Sequence, residues 1–412
     1  MKAVIVGGGI IGLCSAWYLN EMGWEVVLVD RTDLSDSCSY GNLGMVVPSH
    51  FVPLAAPGIV SQGIRWMFNS KSPFYVKPAL SPKLISWGLR FIKAANARHV
   101  EQSARPLLDL NLLSKSLYDE LARSFDFSLE AKGILMYFKQ EAVAEEEIHL
   151  AEKARALGLD AVYLNKEEVQ QLEPTTKLDV LGAVHYRSDA HLYPNLLMKQ
   201  LITTLKQRGV QLLEQHALEQ VERHQHKIQS ITAGGKKLEA DLFVMASGSW
   251  LPDTLQLAGL KIPLLPGKGY SFTVDEPAQK LNIPAILCEA RVAITPMQGR
   301  MRFGGTMELG KMQHRVNLNR VKGIVESIPS YFPELKPSLP AEKNIWYGFR
   351  PCSPDGLPYI GYSAGADNLL IAGGHAMMGL SLGPATGKLI AELANGKQPS
   401  INLAPFAPDR FS

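Results

Sequence analysis

The chain has 412 residues, too many for one small core at ~150 residues per domain, so two domains or one domain with a large insertion is expected. Charged residues make up 20% and hydrophobic ones 46%, with 35 Gly and 26 Pro, which excludes a disordered, collagenous or long coiled-coil chain. The net charge is +3, from 42 basic and 39 acidic residues with no basic block, so nucleic acid is not an expected partner.

Residues 3–20 carry no charge and follow Lys2, which imitates an export signal. The glycines at 7, 8, 9 and 12 would break an apolar helix there, and a buried strand leading into a buried helix explains the pattern better. Ala3 to Val6 is a short apolar, β-branched run, as a strand buried on both faces requires. Gly7-Gly8-Gly9-Ile10-Ile11-Gly12 then reads as GxGxxG, Leu13 to Leu19 suits a helix, and Glu25 to Val29 is a second strand ending in Asp30. This is a complete dinucleotide-binding βαβ unit. In it Gly7 permits the tight turn, Gly9 admits a pyrophosphate, and Gly12 lets the helix approach the strand. The helix N-terminus offers amides to the phosphates. Asp30 suits a ribose 2′-OH, hence FAD or NAD rather than NADP.

After Arg31, the small and polar run Ser37-Cys38-Ser39-Tyr40-Gly41-Asn42-Leu43-Gly44-Met45 can wrap along a cofactor. Residues 59–100 mix Ile64, Trp66, Met67, Phe68, Phe74, Tyr75, Trp87, Leu89, Phe91 and Ile92 with Arg65, Lys71, Lys77, Lys83, Arg90 and Lys93, with no acid before Glu101. That texture suits an interface with anionic lipid, and equally helices packed on each other. No segment is apolar enough to span a bilayer. Residues 100–160 read as long amphipathic helices, and Asp189 to Arg208 as a further helix. Val210–Leu213, Ile228–Thr232 and Leu242–Ala246 read as strands, the last entering Ser247-Gly248-Ser249-Trp250. Tyr270–Val274 and Arg300–Phe303 suggest an antiparallel sheet over the cofactor. Near the end, Leu369–Ala372 reads as a strand running through Gly373-Gly374-His375-Ala376-Met377-Met378-Gly379-Leu380-Ser381 into a helix to about Asn395. An NAD enzyme leaves these C-terminal glycine turns unexplained. The four cysteines lie far apart with no CxxC pair, so neither a metal site nor a disulfide framework is expected, and a reducing compartment fits.

Four dispersed motifs together resemble one family: the opening fingerprint, Ser39-x-x-Asn42-x-Gly44, Lys268-Gly269-Tyr270-Ser271, and Gly348-Phe349-Arg350-Pro351-Cys352-Ser353-Pro354-Asp355-Gly356-Leu357-Pro358-Tyr359-Ile360-Gly361. They closely resemble the D-amino acid dehydrogenase small-subunit family, within the class that includes D-amino acid oxidase, glycine oxidase and sarcosine oxidase. The likeness runs from Met1 to about Asn395.

The resemblance implies an α/β fold, with a Rossmann-like FAD-binding domain from residues 1–55, 186–256 and 345–412. An α+β substrate domain with an antiparallel sheet would come from 56–185 and 257–344. It implies non-covalent FAD held by Gly7, Gly9, Ile10, Ile11, Gly12, Asp30, Arg31, Ser37, Ser39, Asn42, Gly44 and Met45. Further FAD contacts would come from Leu218, Ser247, Gly248 and Trp250, and from Gly374, His375, Met378, Gly379, Leu380 and Ser381.

The implied reaction is hydride transfer from the Cα of a D-amino acid, cyclic substrates such as D-proline or hydroxy-D-proline included, to flavin N5. Electrons would pass on to a quinone-type acceptor, from a cytoplasmic enzyme at the inner face of the plasma membrane. Arg350 is the expected carboxylate clamp, its alternative being a surface ion pair with Asp355 or another acid. Tyr270 is the second substrate candidate, its alternative a core tyrosine. His50 and Met377 are expected to line the pocket, and no side chain is singled out as an acid or base. Where glycine oxidases carry an arginine, this chain has Met377 followed by Met378, a softer apolar wall. Glycine is therefore a poor substrate guess. An oxygen-using oxidase and a flavin-binding subunit without turnover are the alternatives.

Overall fold

The structure is a computed structural model that describes residues 1–61, 63, 72–76 and 81–411. Of the aromatic and basic stretch, Ile64, Arg65, Trp66, Met67, Phe68, Lys71 and Lys77 lie outside the described residues.

Strand Lys2–Val6 is buried from its second residue and pairs in parallel with Glu25–Val29 on one side and Leu242–Met245 on the other. The full order is Tyr359–Ser363, Ala366–Gly373, Leu242–Met245, Lys2–Val6, Glu25–Val29, Gln211–Leu213, with only the first pair antiparallel. This six-stranded sheet is the expected Rossmann-like core. Near-continuous apolar strands are what burial on both faces demands. Helix Ile10–Glu21 lies against it with ten consecutive buried residues, Ile10 through Leu19.

A nine-stranded, mostly antiparallel sheet forms the second layer system. It carries the long strands Leu265–Asp275 and Arg300–Leu309, paired antiparallel as the sequence suggested. Two segment assignments change. Strand Trp346–Cys352 pairs with Leu265–Asp275 and so belongs to this second sheet, although the motif it carries lies in the segment assigned to the FAD domain. Helix Ala97–Leu121, from the segment assigned to the substrate domain, buries Leu107, Leu110, Leu117 and Tyr118 in the core beneath the six-stranded sheet. Between the expected helices of 100–160 runs a buried strand, Ile134–Phe138, whose apolar run Ile-Leu-Met-Tyr-Phe is strand-like on inspection. The helix expected from Asp189 begins only at Pro194, because Ala190–His191 is spent pairing with Met45–Val46.

Candidate active site

Gly7 ends the first strand at φ +112°, and a Cβ there would lie 2.5 Å from the Ala246 carbonyl oxygen. Only glycine fits that turn. A Cβ on Gly12 would fall 1.8 Å from the Gly7 carbonyl oxygen, so the helix and the turn touch backbone to backbone. Gly9 differs: its nearest neighbour would be Ser39 Oγ at 3.7 Å, leaving room in the protein itself. Asp30 is held at the strand end by three donors. Gly8 N–H reaches one carboxylate oxygen at 2.6 Å, and the Thr32 amide and hydroxyl reach the other at 2.7 Å each.

The helix Gly379–Ala394 crosses Ile10–Glu21 at two glycines. A Cβ on Gly387 would sit 2.4 Å from the Cys14 carbonyl carbon, and one on Gly383 2.8 Å from the Ile10 side chain. This close crossing sets two helix N-termini side by side, and neither first turn contains an acid. Both ends therefore present partial positive charge to the space beside them. Pro384 lies within the second helix and offers no N–H to the Leu380 carbonyl. Tyr118 supplies the missing donor at 2.5 Å, and Ser114 donates to the Ser381 carbonyl at 2.6 Å. The Ser381 hydroxyl accepts the Val47 amide at 3.0 Å and donates to Asn111 at 3.3 Å. Sequence reading missed Asn111, Ser114 and Tyr118; the proline four residues after Leu380 was the available signal.

These elements surround a cavity of about 1670 Å³, larger than the ~300–1,000 Å³ of a typical small-ligand pocket. It is bordered by Gly7, Gly9, Ile10, Ile11, Asp30, Arg31, Ser37, Ser39, Asn42 and Met45, and by Leu218, Ser247, Gly248 and Trp250. His375, Met378, Gly379, Leu380 and Ser381 border it too, as do Arg350, Tyr270, His50 and Met377. Gly12, Gly44 and Gly374 do not border it, and shape the turns instead. A Cβ on Gly44 would meet the Leu192 carbonyl oxygen at 2.0 Å, and one on Gly374 the Tyr359 ring at 2.6 Å. The Ser39 hydroxyl accepts the Ile10 amide at 3.0 Å, so one first-turn donor is already used and the hydroxyl proton remains to donate. Arg31 lies over the Trp250 ring, 3.7 Å from its centroid.

Arg350 donates to the Thr306 carbonyl at 2.5 Å, and a Cβ on Gly269 would strike its guanidinium at 2.4 Å. Among the described residues it has no carboxylate partner. Asp355 is engaged elsewhere, gripping Arg410 through two bonds of 2.7 and 2.9 Å. The ion-pair alternative for Arg350 therefore fails. Burial pulls the guanidinium below its ordinary range, with the Cys352 and Cys38 thiols opposing.

Tyr270 borders the cavity, but its hydroxyl is engaged elsewhere. Its ring is buried in the core of the second sheet and its hydroxyl accepts the Asn317 amide at 3.2 Å. The phenol is thus spent on a loop, as the core-tyrosine alternative requires. His375 is buried, and its Nε2 lies 2.9 Å from Thr386 Oγ, whose single proton goes to the Leu382 carbonyl. The ring therefore donates from Nε2, leaving a lone pair on a buried Nδ1 with no partner among the described residues. Burial pushes His375 down to about 3. Met377 is 40% exposed at the cavity edge. Among the described residues no group of His, Cys, Asp or Glu could hold a metal ion.

A dinucleotide fits this cradle: an open Gly9, a fixed carboxylate at Asp30, and two helix N-termini free of acids. The comparisons agree. Residues 2–393 match the DAO family model, described as FAD dependent oxidoreductase. A D-amino acid dehydrogenase from Vibrio vulnificus is 30% identical over 416 residues, covering 97% of each chain. Another so named from Helicobacter pylori is 26% identical over 408 residues, covering 98% of each. The fold resembles glycine oxidase from Geobacillus kaustophilus, with a TM-score of 0.79 at 23% identity over 99% of both chains. It also resembles L-proline dehydrogenase from P. horikoshii, with a TM-score of 0.76 at 19% identity over 100% of this chain and 97% of that one. The chain belongs to the DAO family of FAD-dependent oxidoreductases.

Proposed function

We propose that this enzyme oxidises a D-amino acid with an apolar or cyclic body to the imine and passes the electrons to a quinone-type acceptor. The observation that carries the amino-acid reading is Arg350: an enclosed cation with no carboxylate partner among the described residues, beside a cavity too large for one small ligand. A guanidinium can grip both oxygens of an incoming carboxylate. FAD, when bound, supplies the electron sink for the hydride that leaves the substrate Cα. The protein's part is to hold the carboxylate, orient the Cα and keep water out. The relatives named D-amino acid dehydrogenase support the D-configuration. Met377 and Met378 at the cavity edge favour a hydrocarbon body over glycine. We expect the FAD to be non-covalent, so acid precipitation should leave the yellow colour in the supernatant.

The quinone reading needs contact with a membrane, and no helix among the described residues is long and apolar enough to cross one. Helix Pro82–Ala94 turns Trp87 inward and leaves Ile85, Leu89 and Ile92 exposed at 53%, 64% and 58%, with Lys83 and Lys93 on the same helix. That face suits the cytoplasmic surface of the plasma membrane. Sedimentation with anionic vesicles, lost in an Ile85→Ser/Leu89→Ser variant, is the expected result.

The test of function is anaerobic bleaching of the flavin by D- and L-amino acids, glycine, sarcosine and hydroxy-D-proline, followed by air with and without a quinone analogue. Bleaching by D-forms, reversed faster by quinone than by air, is expected. Faster reversal by air would make the protein an oxidase, and no bleaching would remove the amino-acid reading.

A further inference from the structure

A hydrogen-bonded chain of three residues, Asp189, Ser49 and His50, reaches the cavity through Ser49 and His50. Asp189 is fully buried. It accepts the Ser49 amide at 3.0 Å on one oxygen and the Ser49 hydroxyl at 2.5 Å on the other. Ser49 Oγ also lies 3.1 Å from His50 Nδ1. A hydroxyl has one proton, and with the carboxylate ionised it goes to Asp189. The ring must then donate from Nδ1, which leaves the lone pair on Nε2. No residue among those described bonds Nε2, and His50 borders the cavity.

Arg291 acts on this ring, Asp189 is joined to it through Ser49, and Glu146, Glu147 and Tyr186 border the same cavity. Burial, reinforced by Arg291, pushes His50 down to about 4, so the ring is a neutral acceptor at neutral pH. Burial pushes Asp189 up to about 7 against its bonds to Ser49, so the tautomer is held most firmly above that pH. Burial also raises Glu147, opposed by Arg291.

His50 and Arg350 border the same cavity. The Arg350 guanidinium bonds the Thr306 carbonyl. The preceding Gly305 pairs with Val292, and a Cβ on it would come within 2.9 Å of the carbonyl oxygen of Arg291, the cation felt at His50. An amino acid presents a carboxylate and N–H donors one carbon apart. Arg350 has donors only, so its partner for the amine must be an acceptor.

We propose that His50 binds the substrate's amino group, its Nε2 accepting an amine N–H, with Ser49 and Asp189 as positioning residues that hold the ring in the accepting tautomer. This rests on the amino-acid reading above.

The test uses holoenzyme at pH 8 and two ligands that cannot be oxidised for want of a Cα–H or an amine: 1-aminocyclopentane-1-carboxylate and cyclopentanecarboxylate. Binding is read from perturbation of the flavin spectrum and, independently, from the D-amino acid concentration that half-saturates anaerobic flavin reduction. His50→Ala should weaken the amine-bearing ligand about tenfold or more and leave the amine-free one unchanged, with half-saturation rising in step. His50→Gln, which keeps an acceptor, should recover part of the loss, and Ser49→Ala should lose part of it. Equal weakening of both ligands, or of neither, with half-saturation unchanged, overturns the assignment. If wild-type flavin is bleached by no amino acid, the amino-acid reading itself falls and takes this one with it. If it is bleached and His50→Ala discriminates nothing, only His50 falls.

Discussion

Gly9 and Gly12 lie three residues apart in one turn, yet the geometry gives them separable roles. At Gly12 a Cβ would stand 1.8 Å from the Gly7 carbonyl oxygen. Both partners are backbone, so no rotamer change relieves the clash. Overpacking of this kind costs about 1–3 kcal/mol, offset by at most ~1 kcal/mol of helix propensity gained over glycine. Gly12→Ala should therefore lower the melting temperature of FAD-free protein. Gly9 has φ −73° and ψ 179°, extended backbone that valine adopts readily, and nothing nearer than 3.7 Å to its Cβ position. FAD-free Gly9→Val should melt within about 0.5–1 kcal/mol of wild type, on the stable side if the unfolded chain is stiffened.

With FAD present the order reverses. At a hundred times Kd, FAD adds about 2.7 kcal/mol to wild type, and Gly9→Val, its cradle filled, should gain almost nothing. Paired melts of stripped and FAD-saturated protein, with Kd from flavin fluorescence, measure both quantities. Wild-type FAD affinity in Gly9→Val would refute the cradle. A stripped Gly9→Val as unstable as stripped Gly12→Ala would refute the separation of roles.

Arg350→Ala should lower kcat/KM by about 3 kcal/mol, roughly 150-fold, mainly through KM; steady-state rates over a substrate series test this, and unchanged kinetics would remove Arg350 from the site. Tyr118→Phe strands the Leu380 carbonyl and should cost about 1–3 kcal/mol in chemical denaturation. Adding Pro384→Ala restores an N–H to that carbonyl and should return part of the loss. His375 is held down to about 3 by burial, against an ordinary value near ~6.5. Between those values the unfolded chain carries a proton the folded one lacks, so its contribution to stability is present above ~6.5 and lost as pH falls toward 3. His375→Asn should flatten stability against pH between about 4 and 6 by ~1.4 kcal/mol per pH unit, and an unchanged slope would show that the ring is not buried neutral.

What was legible in the sequence was what local chain geometry determines. The turn at Gly7, the close approach at Gly12 and the carboxylate at Asp30 fall within one strand–helix–strand unit, where spacing alone specifies the neighbours. The Gly-x-Arg-Pro motif was legible as a motif, but its sheet was not, because Trp346–Cys352 is recruited by a strand some eighty positions earlier. The core placement of the Tyr270 ring was hidden for a related reason. In strand Leu265–Asp275, Gly269 makes room for Arg350 while the Tyr270 ring enters the other core, as the alternation of a strand dictates. Ser114 and Tyr118 could not be found from spacing, since the carbonyls they serve lie more than 260 positions away.

The same long-range pairing explains how one motif keeps a cation beside the cavity with no carboxylate partner among the described residues. Arg350 and Asp355 stand five positions apart and could have neutralised each other. Arg410, from the end of the chain, takes Asp355 instead, and its other donors bond the Leu357 and Pro358 carbonyls at 2.7 and 3.1 Å. The acid is thus bound inside a buried fork of donors, where breaking the pair would cost about 3–5 kcal/mol. Among the described residues Arg350 is left with a backbone carbonyl, which orients the guanidinium without neutralising it. On the proposed role of Arg350, a carboxylate entering the cavity would meet a charge that the fold has already positioned, and the C-terminal segment, although it does not border the cavity, would then shape the site's electrostatics.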